Sequence, residues 1–78
     1  MPLTRITVDA LWDDEARVWS ASSADIGGLA VEGADLDILS DHVQGAIRDL
    51  IEMNGIEAAD PLPVEIVARR TEPMALAG

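Results

Sequence analysis

An α+β domain with four strands in a mixed sheet and one helix packed on one face, in the order β-β-β-α-β, is what this sequence predicts. Three observations predict it. Apolar and polar side chains alternate over residues 4–12 and continue into a second strand-like run from Trp19 to Ser23. An apolar stripe at three- and four-residue spacing runs from Leu36 to Ile51 and closes on Asn54-Gly55. A last β-rich run, Val64 to Arg69, follows a connection containing two prolines.

In the first strand Ile6, Val8, Ala10 and Trp12 share one face, while Thr7, Asp9 and Leu11 share the other. Asp13-Asp14-Glu15-Ala16 is polar and reads as a hairpin connection. Pairing Trp12 with Arg17 sets Ala10 against Trp19 and Val8 against Ala21, a register that keeps the apolar residues together. After Ala24-Asp25, Gly27-Gly28 permits a turn into a short strand, Leu29–Glu32, whose Leu29 and Val31 point inward before Gly33 ends it.

Asp35 is an N-cap, and Asp37 adds negative charge where the helix dipole favours it. Leu36, Leu39, Val43, Ala46, Ile47, Leu50 and Ile51 form the inward stripe; Asp41, Gln44, Arg48, Asp49 and Glu52 line the outer side. Gly45 in mid-helix marks close packing or simple tolerance. Residues 56–63 form a linker, residues 4–70 the domain, and residues 71–78 a flexible tail without periodicity. The face away from the helix carries Thr7, Asp9, Leu11, Val18, Ser20, Ser22 and Val67, where Leu11 and Val18 make a small apolar spot; self-association is expected through this face or through an edge strand.

At 78 residues the chain buries only about 60% of its unfolded surface, so self-association is a common remedy for marginal stability. Two Trp and no Phe or Tyr leave an aliphatic core. The absence of Cys excludes disulfides and thiolate metal sites. A net charge of -10 with five Arg and no Lys repels phosphate backbones and anionic membranes, and is complementary to a basic protein. No apolar run approaches the roughly 20 residues a bilayer requires, and the N-terminus lacks a signal-peptide plan. The expectation is a soluble cytoplasmic protein.

None of the residues able to carry chemistry has the spacing of a catalytic, cofactor or metal site. Asp13-Asp14-Glu15 are consecutive turn residues that point apart and stay hydrated, whereas metal chemistry needs carboxylates converging from separate elements. His42 is the single histidine and has no nucleophile at a supporting spacing, so it reads as a structural residue on the helix flank. Gly27-Gly28 leads into a strand rather than a helix N-terminus and reads as a turn, not a phosphate loop. Trp12 and Trp19 read as core, and Arg69-Arg70 as edge protection.

The runs Ile6-Thr-Val-Asp-Ala-Leu-Trp-Asp-Asp-Glu-Ala16, Val18-Trp19-Ser-Ala-Ser, Asp25-Ile-Gly-Gly-Leu29, Val31-Glu32 and Leu50-Ile51-Glu-Met-Asn54 resemble the HicB-like antitoxin superfamily, in particular a small HicB-related bacterial family of unassigned function. Two positions depart from that pattern: Gly27 stands where a proline is usual, and Asp35 where the helix usually opens on Thr or Ser. The resemblance implies a reduced ribonuclease-H-like domain, often dimeric, that masks a small basic RNA-cleaving toxin of the HicA type. A separate DNA-binding segment often follows such domains; this sequence stops shortly after its fourth strand, so the partner-binding half alone is expected here. A remnant ribonuclease-H site would join Asp9 to Glu32 or Asp35, but nothing in the sequence places a second carboxylate beside Asp9. The sequence therefore predicts a non-enzymatic, homodimeric protein-binding module that needs no cofactor or metal. The competing reading is a stand-alone structural or regulatory protein with no toxin partner.

Overall fold

Alternating side chains, a capped helix and a β-rich C-terminal run set the chain path in the computed structural model, which describes residues 2–77. The strands are β1 (Ile6–Asp13), β2 (Val18–Ser22), β3 (Val31–Gly33) and β4 (Val64–Arg69); helix α1 (Leu36–Asn54) connects β3 to β4. The sheet order is β3-β2-β1-β4, antiparallel across β1–β2 and β2–β3 and parallel across β1–β4. The predicted α+β architecture is the observed one, and α1 carries the chain from one edge of the sheet to the other.

The β1–β2 register differs from the predicted one by two residues. Trp12 lies opposite Trp19, and Ala10 opposite Ala21. The cause is the turn. The Asp13 side chain accepts hydrogen bonds from the backbone N–H groups of Glu15 and Ala16, and Arg17 N–H reaches the Asp13 carbonyl. Arg17 takes a left-handed backbone, φ 58°, which no glycine announces in the sequence. The turn therefore runs through Arg17, and Val18, not Arg17, begins β2. Because the shift is even, every side chain keeps its predicted face.

β2 stops at Ser22, yet β1 does not lose its partner there. Ser23 Oγ donates to the Thr7 carbonyl at 2.7 Å, and Asp25 Oδ2 accepts from Thr7 N–H at 2.7 Å, so two side chains continue the ladder. Leu29 is buried as predicted, but β3 begins at Val31 rather than Leu29 because Gly28, at φ 89°, is still turning the chain. Gly33 is the last residue of β3 and sits under α1; a Cβ there would lie 2.6 Å from the Leu39 backbone nitrogen. The helix approaches β3 that closely only because Gly33 has no side chain.

Asp35 caps α1 by accepting from Ile38 N–H, and Gly55, left-handed at φ 59°, ends it with its N–H on the Ile51 carbonyl. His42 Nδ1 lies 2.7 Å from the Glu32 carbonyl, so this nitrogen carries the proton and ties α1 to β3. Leu39, Val43 and Ile47 are buried against Ile6, Val8, Ala10 and Ala21, with Ile26 and Leu29 closing the same core. Leu36, predicted in the stripe, is 41% exposed, because contact with the sheet begins one turn later, where Leu39 meets Gly33. Gly45 has open space around it, which resolves its two readings in favour of tolerance. Residues 56–63 make the predicted linker, held to the N-terminal segment through Leu3, which donates to the Glu57 carbonyl and accepts from Ala59 N–H.

Candidate functional site

Two surfaces remain after the core is built. The first is the sheet face away from α1. Period-2 alternation places Leu11 there between Ser20 of β2 and Arg69 of β4, with Val18 and Val67 on the diagonals. Leu11 is 55% exposed, and Val18 is half-buried. The structure thus brings the two predicted contact residues onto one face. Around them the strands present Asp9, Asp13, Glu32 and Glu65; Arg5, just before β1, pairs with Glu65 at 3.5 Å, and the Arg69 guanidinium is 3.8 Å from Asp9. At that spacing and exposure the ion pairs add little stability.

The second surface is on the helix side. An α-helix is about 10 Å across, roughly two strand spacings, so one helix does not cover four strands. α1 packs mainly against β3 and β2. Between its C-terminal half and β4 lies a groove of about 640 Å³, lined by Ile47, Ile51, Ile56, Leu62 and Val64, with Gln44, Arg48 and Glu52 at its rim. Arg48 makes no ion pair among the described residues, whereas the other four arginines each have one. No periodicity in the sequence marks this groove; Ile56 and Leu62 in the linker are the one sign that residues 56–63 pack on something.

The remaining candidates take structural positions. Asp13 organises its own turn, and Asp14 Oδ1 accepts from both Trp12 Nε1, at 3.2 Å, and Arg17, at 2.8 Å. Asp9 and Glu32 share the open face but have β2's neighbouring row between them, about 10 Å across, and Asp35 is occupied as the helix cap. Among the described residues no group of three or more acidic or histidine side chains converges to hold a metal ion. Trp12 and Trp19 stack edge to face at 5.4 Å. Trp19 packs on the core, but Trp12, expected inside it, is only half-buried, because this end of the sheet extends past the helix. Arg70 covers the Trp12 ring at 4.5 Å and Arg17 at 5.2 Å, which shields the indole in place of a second helix. Arg69 and Arg70 therefore serve opposite faces of the sheet.

Fold and surfaces together define a small α+β domain with an open sheet face and a groove beside β4. Residues 5–77 match the model of DUF1902, a domain of unknown function, and the chain belongs to that family. It is similar to the hypothetical protein TTHA1013 of Thermus thermophilus, an extremely thermophilic bacterium, whose crystal structure superimposes with a TM-score of 0.68 at 40% identity, covering 92% of this chain and 99% of that one. No curated protein matches this chain. Among the described residues no helix is long and apolar enough to cross a membrane.

Proposed function

We propose that this chain is a non-enzymatic, cytoplasmic protein-binding module that self-associates and masks a small basic partner, as its resemblance to HicB-like antitoxins implies. One observation carries the proposal: the open sheet face has an exposed apolar centre at Leu11 inside a rim of four carboxylates and two guanidiniums, so the rim keeps a net negative charge. Such a face suits a partner that offers an apolar contact set among Lys and Arg. Desolvation of Leu11 and Val18 supplies adhesion, and the acidic rim selects the partner by charge. The net charge of -10 extends the same field beyond the contact and accelerates encounter with a cation-rich surface. Masking of this kind is steric and asks for no proton transfer, metal or cofactor. A HicA-like toxin is the partner class this face fits.

The test is capture of the partner from the native host on the immobilised chain, followed by association kinetics at two salt concentrations. A small basic protein is expected, with an on-rate that falls steeply as salt rises and an off-rate that changes little. Leu11→Asp should abolish capture while leaving the fold intact, since the side chain is exposed. Duplex DNA at physiological salt should give no binding. Failure to recover a basic protein, or specific DNA binding by the chain, would replace this reading with a stand-alone structural or regulatory role.

A further inference from the structure

Two unfilled features lie at opposite ends of β4. This strand is a sheet edge: β1 pairs with one side of it and, among the described residues, no strand pairs with the other. Beside its first residue, Val64, is the aliphatic groove. Beyond its last residue, Arg69, residues 71–77 have no regular secondary structure and are exposed throughout, with Met74 at 78% and Leu76 at 88%. This segment stands away from the body. The radius of gyration is 14.8 Å, against about 11.5 Å for a compact chain of this length, and the longest dimension is 55 Å. The helix alone, about 28 Å long, is only about half of that dimension. At the other end of the chain Leu3 is tied to Glu57 and Ala59, so the projecting arm is the C-terminal one.

We propose that residues 73–77 of one copy dock in the groove between α1 and β4 of a second copy, the two β4 edges pairing antiparallel about a twofold axis. This gives a definite route to the self-association proposed above, and rests on that reading. Antiparallel pairing sets the end of one β4 beside the start of the other. A chain continuing past Arg69 then runs past the partner copy's Val64 and along its linker, where the groove lies. Met74 and Leu76 are two residues apart and so present to one side of an extended arm, opposite Ile47, Ile51, Ile56 and Leu62. The segment Pro73 to Ala77 carries no charge, so its docking adds no repulsion in a chain of net charge -10. Return of the arm to its own groove would require a reversal after Glu72 and a run back along all of β4, about 17 Å. Arg70 fixes the opposite exit direction by stacking on Trp12 and pairing with Glu72 at 2.6 Å. Twofold symmetry makes the exchange reciprocal and fills both grooves. The family match reaches residue 77, so the arm lies inside the matched domain. Of the two routes the sequence offered, the sheet face at Leu11 and Val18 or an edge strand, the arrangement takes the edge strand β4 and leaves the acidic face free for a basic partner.

Sedimentation equilibrium of the full chain tests this. The unsubstituted protein should be a dimer. Met74→Asp/Leu76→Asp, at two exposed positions, should be a monomer with unchanged helical circular dichroism. The chain has no cysteine, so Ala59→Cys/Leu76→Cys introduces its only two thiols, one on an exposed groove residue and one on the arm, and neither single variant should cross-link. Mild oxidation should yield a covalent dimer on a non-reducing gel. A monomeric unsubstituted chain would overturn self-association and arm exchange together. A dimer that survives Met74→Asp/Leu76→Asp, or a link that closes within one chain or fails to form, would overturn arm exchange alone and leave self-association standing.

Discussion

The half of the molecule under α1 and the half around β4 are built to different standards. On the β3–β2 side the helix comes so close that Gly33 has no room for a methyl group, and Leu39 and Val43 are fully buried. On the β4 side Val64, Ile66 and Leu62 are only partly covered, Ala68 is exposed, and a groove of about 640 Å³ separates strand from helix. The difference follows from supply: one helix of 19 residues for a sheet of four strands. A chain of this size gains independent stability by closing half its sheet well, and what is left open is available to other molecules.

Truncation on the two sides should expose that asymmetry most strongly. Leu39→Ala removes a fully buried side chain and should cost about 3–5 kcal/mol, much of the total of roughly 4–12 kcal/mol open to a chain this short. Leu62→Ala, beside the groove, should cost about 1 kcal/mol, because much of that side chain already meets solvent. Urea denaturation of both variants makes the comparison, and equal losses would break it. Gly33→Ala tests the close approach directly. The new Cβ would meet backbone, which does not swing aside, so a loss of about 1–3 kcal/mol is expected, read as a fall in Tm of several degrees or more. An unchanged Tm would mean that the helix can lift off β3 freely. Gly45→Ala should give the smallest effect and the opposite sign. Its Cβ meets nothing within 4 Å, so the higher helix propensity of Ala should stabilise by up to about 1 kcal/mol, seen as a modest rise in the denaturation midpoint. Destabilisation there would place an unseen neighbour on that flank of the helix.

How much of this was legible depended on whether a signal was local. Alternation over Ile6–Trp12 and the stripe from Leu39 to Ile51 marked the elements and their inward faces; Asp35 and Gly55 marked the helix ends. The hairpin register differs because Arg17 adopts a left-handed backbone without being glycine, and because Asp13, read as a turn residue, pairs with Val18 as the last residue of β1 while its side chain bonds the turn amides. The side-chain ladder from Ser23 and Asp25 to Thr7 was invisible for a related reason: it joins residues 16 and 18 positions apart. Leu11 and Val18 could be put on one face from period-2 counting alone. The groove could not, since it is a gap left by the width of a helix, and its only local sign is the apolar pair Ile56 and Leu62 in the linker.

Amide hydrogen exchange at low and high protein concentration tests most directly whether the open half is completed by a second copy. Protection in α1 and β3 should be independent of concentration, while the free-edge amides of β4 and those of residues 74–77 should exchange more slowly as concentration rises. Exchange in β4 and the arm that stays equally fast at both concentrations would contradict it.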